Sequence, residues 1–121
     1  MRKKVLFVDD DEGWRKRVGA SFAQAGYETM MASDATQALE LAQQNQFGVI
    51  VLDIYLDGED GVMLLKFLRR NHPGVPVLLF SALGHDQAAI RAMLDKGADQ
   101  YLPKGNSMDE LIVTVGSYLN A

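Results

Sequence analysis

Short apolar runs alternate with longer amphipathic segments five times along the chain. The runs predict strands that are buried on both faces, as in a parallel sheet covered by helices. They lie at residues 5–8, 29–32, 49–52, 77–80 and 101–102. The third run is the strongest because it is continuous and rich in β-branched residues.

The segments between these runs carry apolar residues three and four positions apart, which predicts five helices. Their apolar positions are Trp14, Val18, Phe22 and Ala25; Ala35, Ala38, Leu39 and Ala42; Met63, Leu64, Phe67 and Leu68; Ala89, Ile90, Met93 and Leu94; and Met108, Leu111, Ile112, Val115 and Leu119. Five strand–helix units predict an α/β fold, a single doubly wound, five-stranded parallel sheet that forms one domain over residues 1–121.

Helix ends are signalled by capping residues and breakers. Asp11 or a neighbour precedes the first helix, Ser33 or Asp34 the second, and Asp60 the third. Such short polar side chains accept hydrogen bonds from unpaired amides of the first helical turn. Gly26, the segment 72–74 and Gly97 are placed to end the first, third and fourth helices.

Composition narrows the class of protein. The chain of 121 residues has a net charge of −4, which argues against direct nucleic-acid binding. It has no cysteine, which excludes disulfides and thiolate metal sites. Only four apolar residues follow the basic N-terminal residues, too few for a signal peptide, and no apolar run has the length of a membrane span. We therefore expect a cytoplasmic protein that does not bind membranes.

Polar residues follow four of the five predicted strands. Asp9 and Asp10 follow the first strand, Asp53 the third, Ser81 the fourth and Lys104 the fifth. Ligands of open α/β sheets bind at the carboxyl ends of the strands, so these side chains are expected in one pocket if the strands are neighbours.

Such a pocket has a definite chemistry. Carboxylates packed together repel one another and stay ionised only beside a cation, and carboxylate oxygens suit Mg²⁺. A carboxylate can also act as a nucleophile and form an aspartyl phosphate. Lys104 and Ser81 would then neutralise and hydrogen-bond the phosphoryl oxygens.

Each residue alone has a simpler interpretation. Asp9 and Asp10 could cap a helix and face solvent, and Asp53 could be an ordinary loop carboxylate. Ser81 alone is more typical of a cap, and Lys104 alone of a surface lysine. Their joint occurrence at one edge of a parallel sheet favours the functional interpretation.

The motifs, in their order and spacing, resemble the receiver domain of bacterial two-component response regulators over essentially the whole chain. They are Val8-Asp9-Asp10-Asp11, Val51-Leu52-Asp53, Asp60-Gly61, Ser81-Ala82, Gly97-Ala98-Asp99 and Tyr101-Leu102-Pro103-Lys104. The resemblance implies a flavodoxin-like fold with strand order 2-1-3-4-5.

The resemblance also implies roles. Asp53 would accept a phosphoryl group from the phosphohistidine of a sensor histidine kinase or phosphotransfer protein. Mg²⁺ would be held by Asp9, Asp10, Asp53 and the backbone carbonyl of Tyr55. Ser81 and Lys104 would contact the phosphate.

A conformational output follows from the same resemblance. Tyr101 would turn inward when Ser81 moves toward the phosphate, changing the face formed by the fourth helix, fifth strand and fifth helix. That face would contact a downstream effector domain or protein, or a second copy in a homodimer. We expect a self-phosphorylating switch with at most slow autophosphatase activity, not an enzyme with turnover.

Several positions depart from the family pattern. Gly105 follows Lys104 where proline is usual, and a cis bond there would cost about 2.5–4 kcal/mol, so we expect a trans bond or a strained cis one. Asp57 stands where proline is frequent. Bulky Tyr55 and Leu83 are expected to crowd the path of the hydrolytic water and prolong the phosphorylated state.

Two other functions remain open at this point. Gly105 leaves room for an interaction module that no longer uses phosphate. Asp57, four residues after Asp53, could serve as the general acid of a Mg²⁺-dependent phosphohydrolase. The residues do not identify the kinase, the pathway or the output.

Overall fold

The computed structural model describes residues 4–56, 59–82 and 86–120, apart from the side chains of 59 and 60. Strands and helices alternate along these residues. In chain order they are β1 (Lys4–Val8), α1 (Glu12–Gln24), β2 (Glu28–Ala32), α2 (Ala35–Gln44), β3 (Val49–Leu52), β4 (Tyr55–Leu56), β5 (Glu59–Asp60), α3 (Gly61–Asn71), β6 (Val77–Ser81), α4 (Gln87–Asp95), β7 (Gln100–Pro103) and α5 (Met108–Leu119).

Five strands form the main sheet in the order β2-β1-β3-β6-β7, and every neighbouring pair is parallel. Counted within this sheet alone, the order is 2-1-3-4-5, so the predicted flavodoxin-like topology is confirmed. The order reverses between β1 and β3, which creates a crevice at their carboxyl ends.

A small antiparallel hairpin was not predicted. Strands β4 and β5 pair Tyr55 with Asp60 and Leu56 with Glu59, so two residues separate them. The sequence between them is Asp57-Gly58, a dipeptide typical of two-residue hairpins. The sequence predicts only a turn here, because two-residue strands are too short to show an alternating pattern.

Helices cover both faces of the sheet, as expected for a doubly wound fold. One core cluster joins strand residues such as Leu6 and Ile50 to α2 and α3. The other joins strand residues such as Phe7 and Val51 to α1 and α5. All residues of β1, β3 and β6 are buried, which agrees with their continuous apolar sequences.

The predicted helix ends are largely confirmed. Asp11 caps α1 and Asp34, rather than Ser33, caps α2 through side-chain oxygens that accept backbone amides. Gly26 and Gly97 follow α1 and α4 with φ of 85° and 122°, a left-handed conformation that favours glycine. The predicted capping side chain of Asp60 lies outside the described residues.

Three of the apolar positions used to predict the helices are exposed. Met63 and Phe67 of α3 are 60% and 38% exposed, and the helix buries Leu64, Leu65 and Leu68 instead. Apolar residues on two adjacent faces of this helix made both orientations compatible with the spacing. Ala25 is also exposed, because it is the C-cap that follows α1.

No helix within the described parts of the chain is both long and apolar enough to cross a membrane.

Candidate functional site

Two buried carboxylates lie side by side at the carboxyl ends of β1 and β3. The Asp9 amide donates to the Ala32 carbonyl at 3.0 Å, and the Asp53 amide donates to the Val8 carbonyl at 3.0 Å. These bonds extend the parallel ladders one residue beyond each strand. Asp9 and Asp53 are 0% and 4% exposed, so their side chains enter the crevice rather than solvent.

Lys104 brings positive charge to this pair from the end of β7. Its backbone amide donates to the Ser81 carbonyl at 3.1 Å, which holds the start of the loop against β6. Its ammonium lies 2.7 Å from Asp9 Oδ2 and 2.8 Å from Asp53 Oδ2. The side chain is only 14% exposed, so these ion pairs are weakly screened by solvent.

Ser81 and the backbone after β3 fix the orientation of Asp53. The Ser81 hydroxyl donates to Asp53 Oδ1 at 2.8 Å and accepts the Ile54 amide at 2.9 Å. The Tyr55 amide donates to the same carboxylate oxygen at 3.0 Å. With Lys104 on Oδ2, both oxygens of Asp53 have donors, so the carboxylate is held in one rotamer.

The carboxylates fit a hard divalent cation. Oxygens of Asp9, Asp10 and Asp53 all lie within 4.8 Å of one another. Asp9 Oδ1 accepts the Asp11 amide at 2.9 Å, whereas the buried Oδ2 faces the Lys104 ammonium at 2.7 Å. This clustering of carboxylate oxygens matches the ligand preference of Mg²⁺. The predicted Tyr55 carbonyl ligand stays a prediction.

Burial perturbs both partners of the ion pair. Burial raises the pKa of Asp9, and the hydrogen bonds from Lys104 and Asp11 offset only part of the increase. For Lys104, burial lowers the pKa, but the hydrogen bonds to Asp53 and Asp9 outweigh that effect and raise it overall. The lysine therefore stays an ammonium ion at neutral pH, while ionising Asp9 costs more than it would in water.

Comparison with known proteins agrees with this arrangement of strands. The family model for the response regulator receiver domain matches residues 5–116. The chain belongs to the response regulator receiver domain family. A receiver domain is a module of two-component systems, and in this one the side chains of Asp9, Asp10, Asp53, Ser81 and Lys104 lie close together.

Individual relatives cover nearly all of this receiver domain. Transcriptional activator protein PfeR of Pseudomonas aeruginosa is 41% identical over 108 residues, which are 89% of this chain and 35% of the relative. Response regulator MprA of a Mycobacterium species is 34% identical over 120 residues, covering 98% of this chain and 51% of the relative. The chain thus spans about a third to a half of these curated relatives.

Solved structures show the same fold. The Francisella response regulator 1452 receiver domain superposes with a TM-score of 0.90 at 37% identity, covering 97% of this chain and 96% of that one. NtrX from Brucella abortus gives a TM-score of 0.90 at 30% identity, covering 99% of this chain and 27% of the other.

Tyr101 of this receiver domain points toward the end of β6. Its hydroxyl donates to the Ser81 carbonyl at 3.0 Å, and its half-buried ring packs against the cluster shared with α3. Ser81 therefore contacts Asp53 through its side chain and Tyr101 and Lys104 through its carbonyl. This geometry links the proposed switch residue to the acid pocket.

The structure describes some of the positions that depart from the family pattern and leaves others untested. No described peptide bond is cis, so the Lys104-Gly105 bond is trans, one of the two expected alternatives. Gly105 does not displace Lys104 from the pocket. Tyr55 is 57% exposed beside Asp53. Leu83 and Asp57 lie outside the described residues, so their proposed roles stay predictions.

Two residues near the site were assigned no site role from the sequence. The sequence placed Trp14 only on the apolar face of the first helix, and its ring centroid lies 5.1 Å from the Lys104 ammonium. A side chain at Gly61 would collide with the Ile54 carbonyl, so glycine lets α3 begin against the segment that follows Asp53. The Asp60-Gly61 motif pointed to this glycine, whereas a helical stripe could not separate Trp14 from ordinary core.

Proposed function

We propose that Asp53 of this receiver domain accepts a phosphoryl group from the phosphohistidine of a sensor histidine kinase or phosphotransfer protein, in a Mg²⁺-dependent reaction. The observation that carries this proposal is the environment of Asp53. Its buried carboxylate is held by Lys104, Ser81 and the Tyr55 amide, with the oxygens of Asp9 and Asp10 nearby.

The transfer needs few groups beyond these. A carboxylate oxygen of Asp53 attacks phosphorus, the phosphorus–nitrogen bond to histidine breaks, and its electron pair returns to the imidazole. Bound Mg²⁺ would supply positive charge to the phosphoryl oxygens from a site made by Asp9, Asp10 and Asp53. Lys104 can transfer its hydrogen bond from Asp53 to a phosphoryl oxygen, because its ammonium has three donors.

Output would begin at Ser81. A phosphoryl group on Asp53 offers the Ser81 hydroxyl a more highly charged acceptor than the carboxylate it now contacts. Any shift of Ser81 moves the carbonyl that accepts the Tyr101 hydroxyl. Helix α4 has no fully buried residue, so a movement of this helix within the α4–β7–α5 face would disrupt little core packing.

The partners proposed for this face are an effector domain or protein, or a second copy of the chain. We expect no direct contact between this acidic domain and nucleic acid, and we expect it to act in the cytoplasm as a switch rather than an enzyme with turnover. A place as one domain of a longer protein is compatible with the fact that the chain spans only a third to a half of these relatives.

The decisive experiment measures intact mass after incubation with Mg²⁺ and a small phosphodonor. We expect one phosphoryl adduct on the parent, none on Asp53→Asn, and none on the parent when EDTA replaces Mg²⁺. Asp95→Asn is the matched control, because Asp95 is an exposed carboxylate of α4 and should leave the adduct unchanged.

Other outcomes would reject the proposal in distinct ways. An adduct on both the parent and Asp53→Asn would place the acceptor elsewhere. No adduct on the parent, with Mg²⁺ binding confirmed by titration, would favour an interaction module that does not use phosphate.

A further inference from the structure

The Lys104 backbone is held by the bond from its amide to the Ser81 carbonyl, but the chain directly after it packs little. The loop after it begins with Gly105, and a Cβ added at that glycine would meet no atom within 4 Å. Gly105 and the two residues after it are exposed, so the chain beyond Lys104 gains little support from packing. The position of the ammonium must therefore be set by contacts of the lysine itself.

One such contact comes from the first turn of α1. The Trp14 ring centroid lies 5.1 Å from the Lys104 ammonium, within the distance at which a cation is attracted to the face of an indole. Because Lys104 is largely buried, this attraction is less weakened by solvent than at an exposed site.

Trp14 itself is firmly placed. Its amide donates to the Asp11 cap at 3.1 Å, which fixes the backbone at the start of α1. Its ring meets the buried ring of Phe80 edge to face, with centroids 5.2 Å apart and planes at 89°. Phe80 directly precedes Ser81, so the indole is supported by the strand that carries another residue of the site.

We propose that Trp14 is a positioning residue whose indole face holds the Lys104 ammonium against Asp53, and that it thereby speeds phosphoryl transfer. This inference rests on the proposed function for its effect on rate. Trp14 touches no reacting atom; it limits the directions that the lysine side chain can take, in addition to the ion pairs with Asp9 and Asp53. The carboxylates then receive an ammonium that is already oriented.

The rate test compares two replacements of Trp14 that differ in aromaticity. Trp14→Leu should slow formation of the adduct about three- to tenfold, because an apolar side chain lacks the π face that attracts the ammonium. Trp14→Phe should recover most of the rate, although it also removes volume. Mg²⁺ affinity should be unchanged in both, because the carboxylates are untouched.

Arg17 provides a control, since its guanidinium carbon lies 4.4 Å from the same ring centroid. Arg17→Met should leave the rate unchanged, because no carboxylate of the pocket contacts Arg17 in the described contacts. Equal losses in Trp14→Leu and Trp14→Phe would show that the indole only fills space. A parental rate in Trp14→Leu would also overturn the proposal.

Fluorescence tests the contact even if no phosphate is accepted. Trp14 is the sole tryptophan of the chain, so its emission reports directly on this site. Lys104→Met should change that emission, whereas Lys16→Met should not, because Lys16 is an exposed residue of α1 paired with Glu12. If Lys104→Met leaves the emission unaltered, the contact does not exist. If Lys104→Met changes the emission but the parent forms no phosphoryl adduct, the contact exists and only the proposed function fails.

Discussion

Two ionic clusters join the strands of this receiver domain at opposite edges of its sheet, and their charges are balanced differently. At the carboxyl edge, Lys104 contacts Asp9 and Asp53, with Asp10 close by. At the amino edge, Asp99 is the one carboxylate that pairs with Arg69 among the described residues. The first cluster has an excess of negative charge, whereas the second pairs one cation with one anion.

The amino-edge cluster is reinforced by several hydrogen bonds. The Arg69 guanidinium donates to Asp99 and to the carbonyls of Pro73, Val75 and Gly97. Asp99 Oδ2 additionally accepts the Val77 amide at 2.7 Å. These bonds tie the end of α3 to the starts of β6 and β7. A cluster with equal positive and negative charge and well-paired hydrogen-bonding groups supports the fold. A cluster with excess negative charge needs a further cation, or it lowers the free energy of unfolding.

Removing Lys104 should have the largest effect. Lys104→Met leaves two buried carboxylates facing each other, and we expect it to destabilise the protein by about 3 kcal/mol in EDTA. It should also slow phosphoryl transfer about 100-fold, since a donor to the transferred group is lost. Urea unfolding and the rate of adduct formation measure the two effects.

Mg²⁺ should reduce the stability loss caused by Lys104→Met, because the metal supplies positive charge to the same carboxylates. The comparison is urea unfolding of parent and variant in EDTA and in saturating Mg²⁺. Equal losses in the two conditions would contradict the idea that the carboxyl edge lacks a cation.

Metal binding is the second effect in size. Mg²⁺ at about 100 times its dissociation constant should stabilise the parent by about 2.7 kcal/mol, because the unfolded chain has no assembled site. Asp10→Asn should lose most of this gain, as it removes one of the clustered carboxylates. Thermal unfolding with and without Mg²⁺ measures the gain. A full gain in Asp10→Asn would remove that residue from the metal site.

Arg69→Met should have a smaller effect that is independent of Mg²⁺. It leaves three carbonyls and Asp99 without their donor, but Arg69 and Asp99 are 26% and 39% exposed, so water can replace part of the loss. We expect a destabilisation of about 1–2 kcal/mol and an unchanged rate of phosphorylation. Arg70→Met, at an exposed neighbour, is the control and should change little. If Mg²⁺ restored the stability lost in Arg69→Met, the two edges of the sheet would be coupled.

The sequence predicted the carboxyl edge better than the amino edge. Asp9, Asp53 and Ser81 directly follow or end continuous apolar strands, so their common location followed from parallel topology alone. Arg69 carries no such signal, because it lies 30 residues before Asp99 on an amphipathic helix. Only the packed fold shows that these two residues meet.

The direction of side chains is a second property that the sequence did not predict. Apolar spacing on α1 and α3 predicted the helices but not which of two adjacent faces is buried, and Met63, one of the apolar positions of α3, is exposed. The same ambiguity hid the contact between Trp14 and Lys104, because a tryptophan packed beside Phe80 has the spacing of any core residue. The Tyr101 bond to the Ser81 carbonyl likewise depends on a rotamer that no motif specifies.

The smallest predicted effect concerns the pH dependence of the carboxyl edge. Burial raises the folded-state pKa of Asp9 above the ordinary value of 3.8, so the folded protein binds this proton more tightly than the unfolded chain does. Stability from this group is therefore greatest below pH 3.8 and declines as the pH rises through the raised pKa. Asp9→Asn cannot ionise, so in EDTA it should gain stability relative to the parent across that window.

Urea unfolding of the two proteins at a series of pH values measures this difference, which isolates Asp9 from the other titrating groups. In Mg²⁺ the trend should reverse, because the cation binds the ionised carboxylate and lowers its pKa. If the parent instead gained stability over Asp9→Asn in EDTA as the pH rose, Lys104 alone would neutralise Asp9. The carboxyl edge would then be as well balanced as the Arg69–Asp99 edge, and the electrostatic reason for a metal there would be lost.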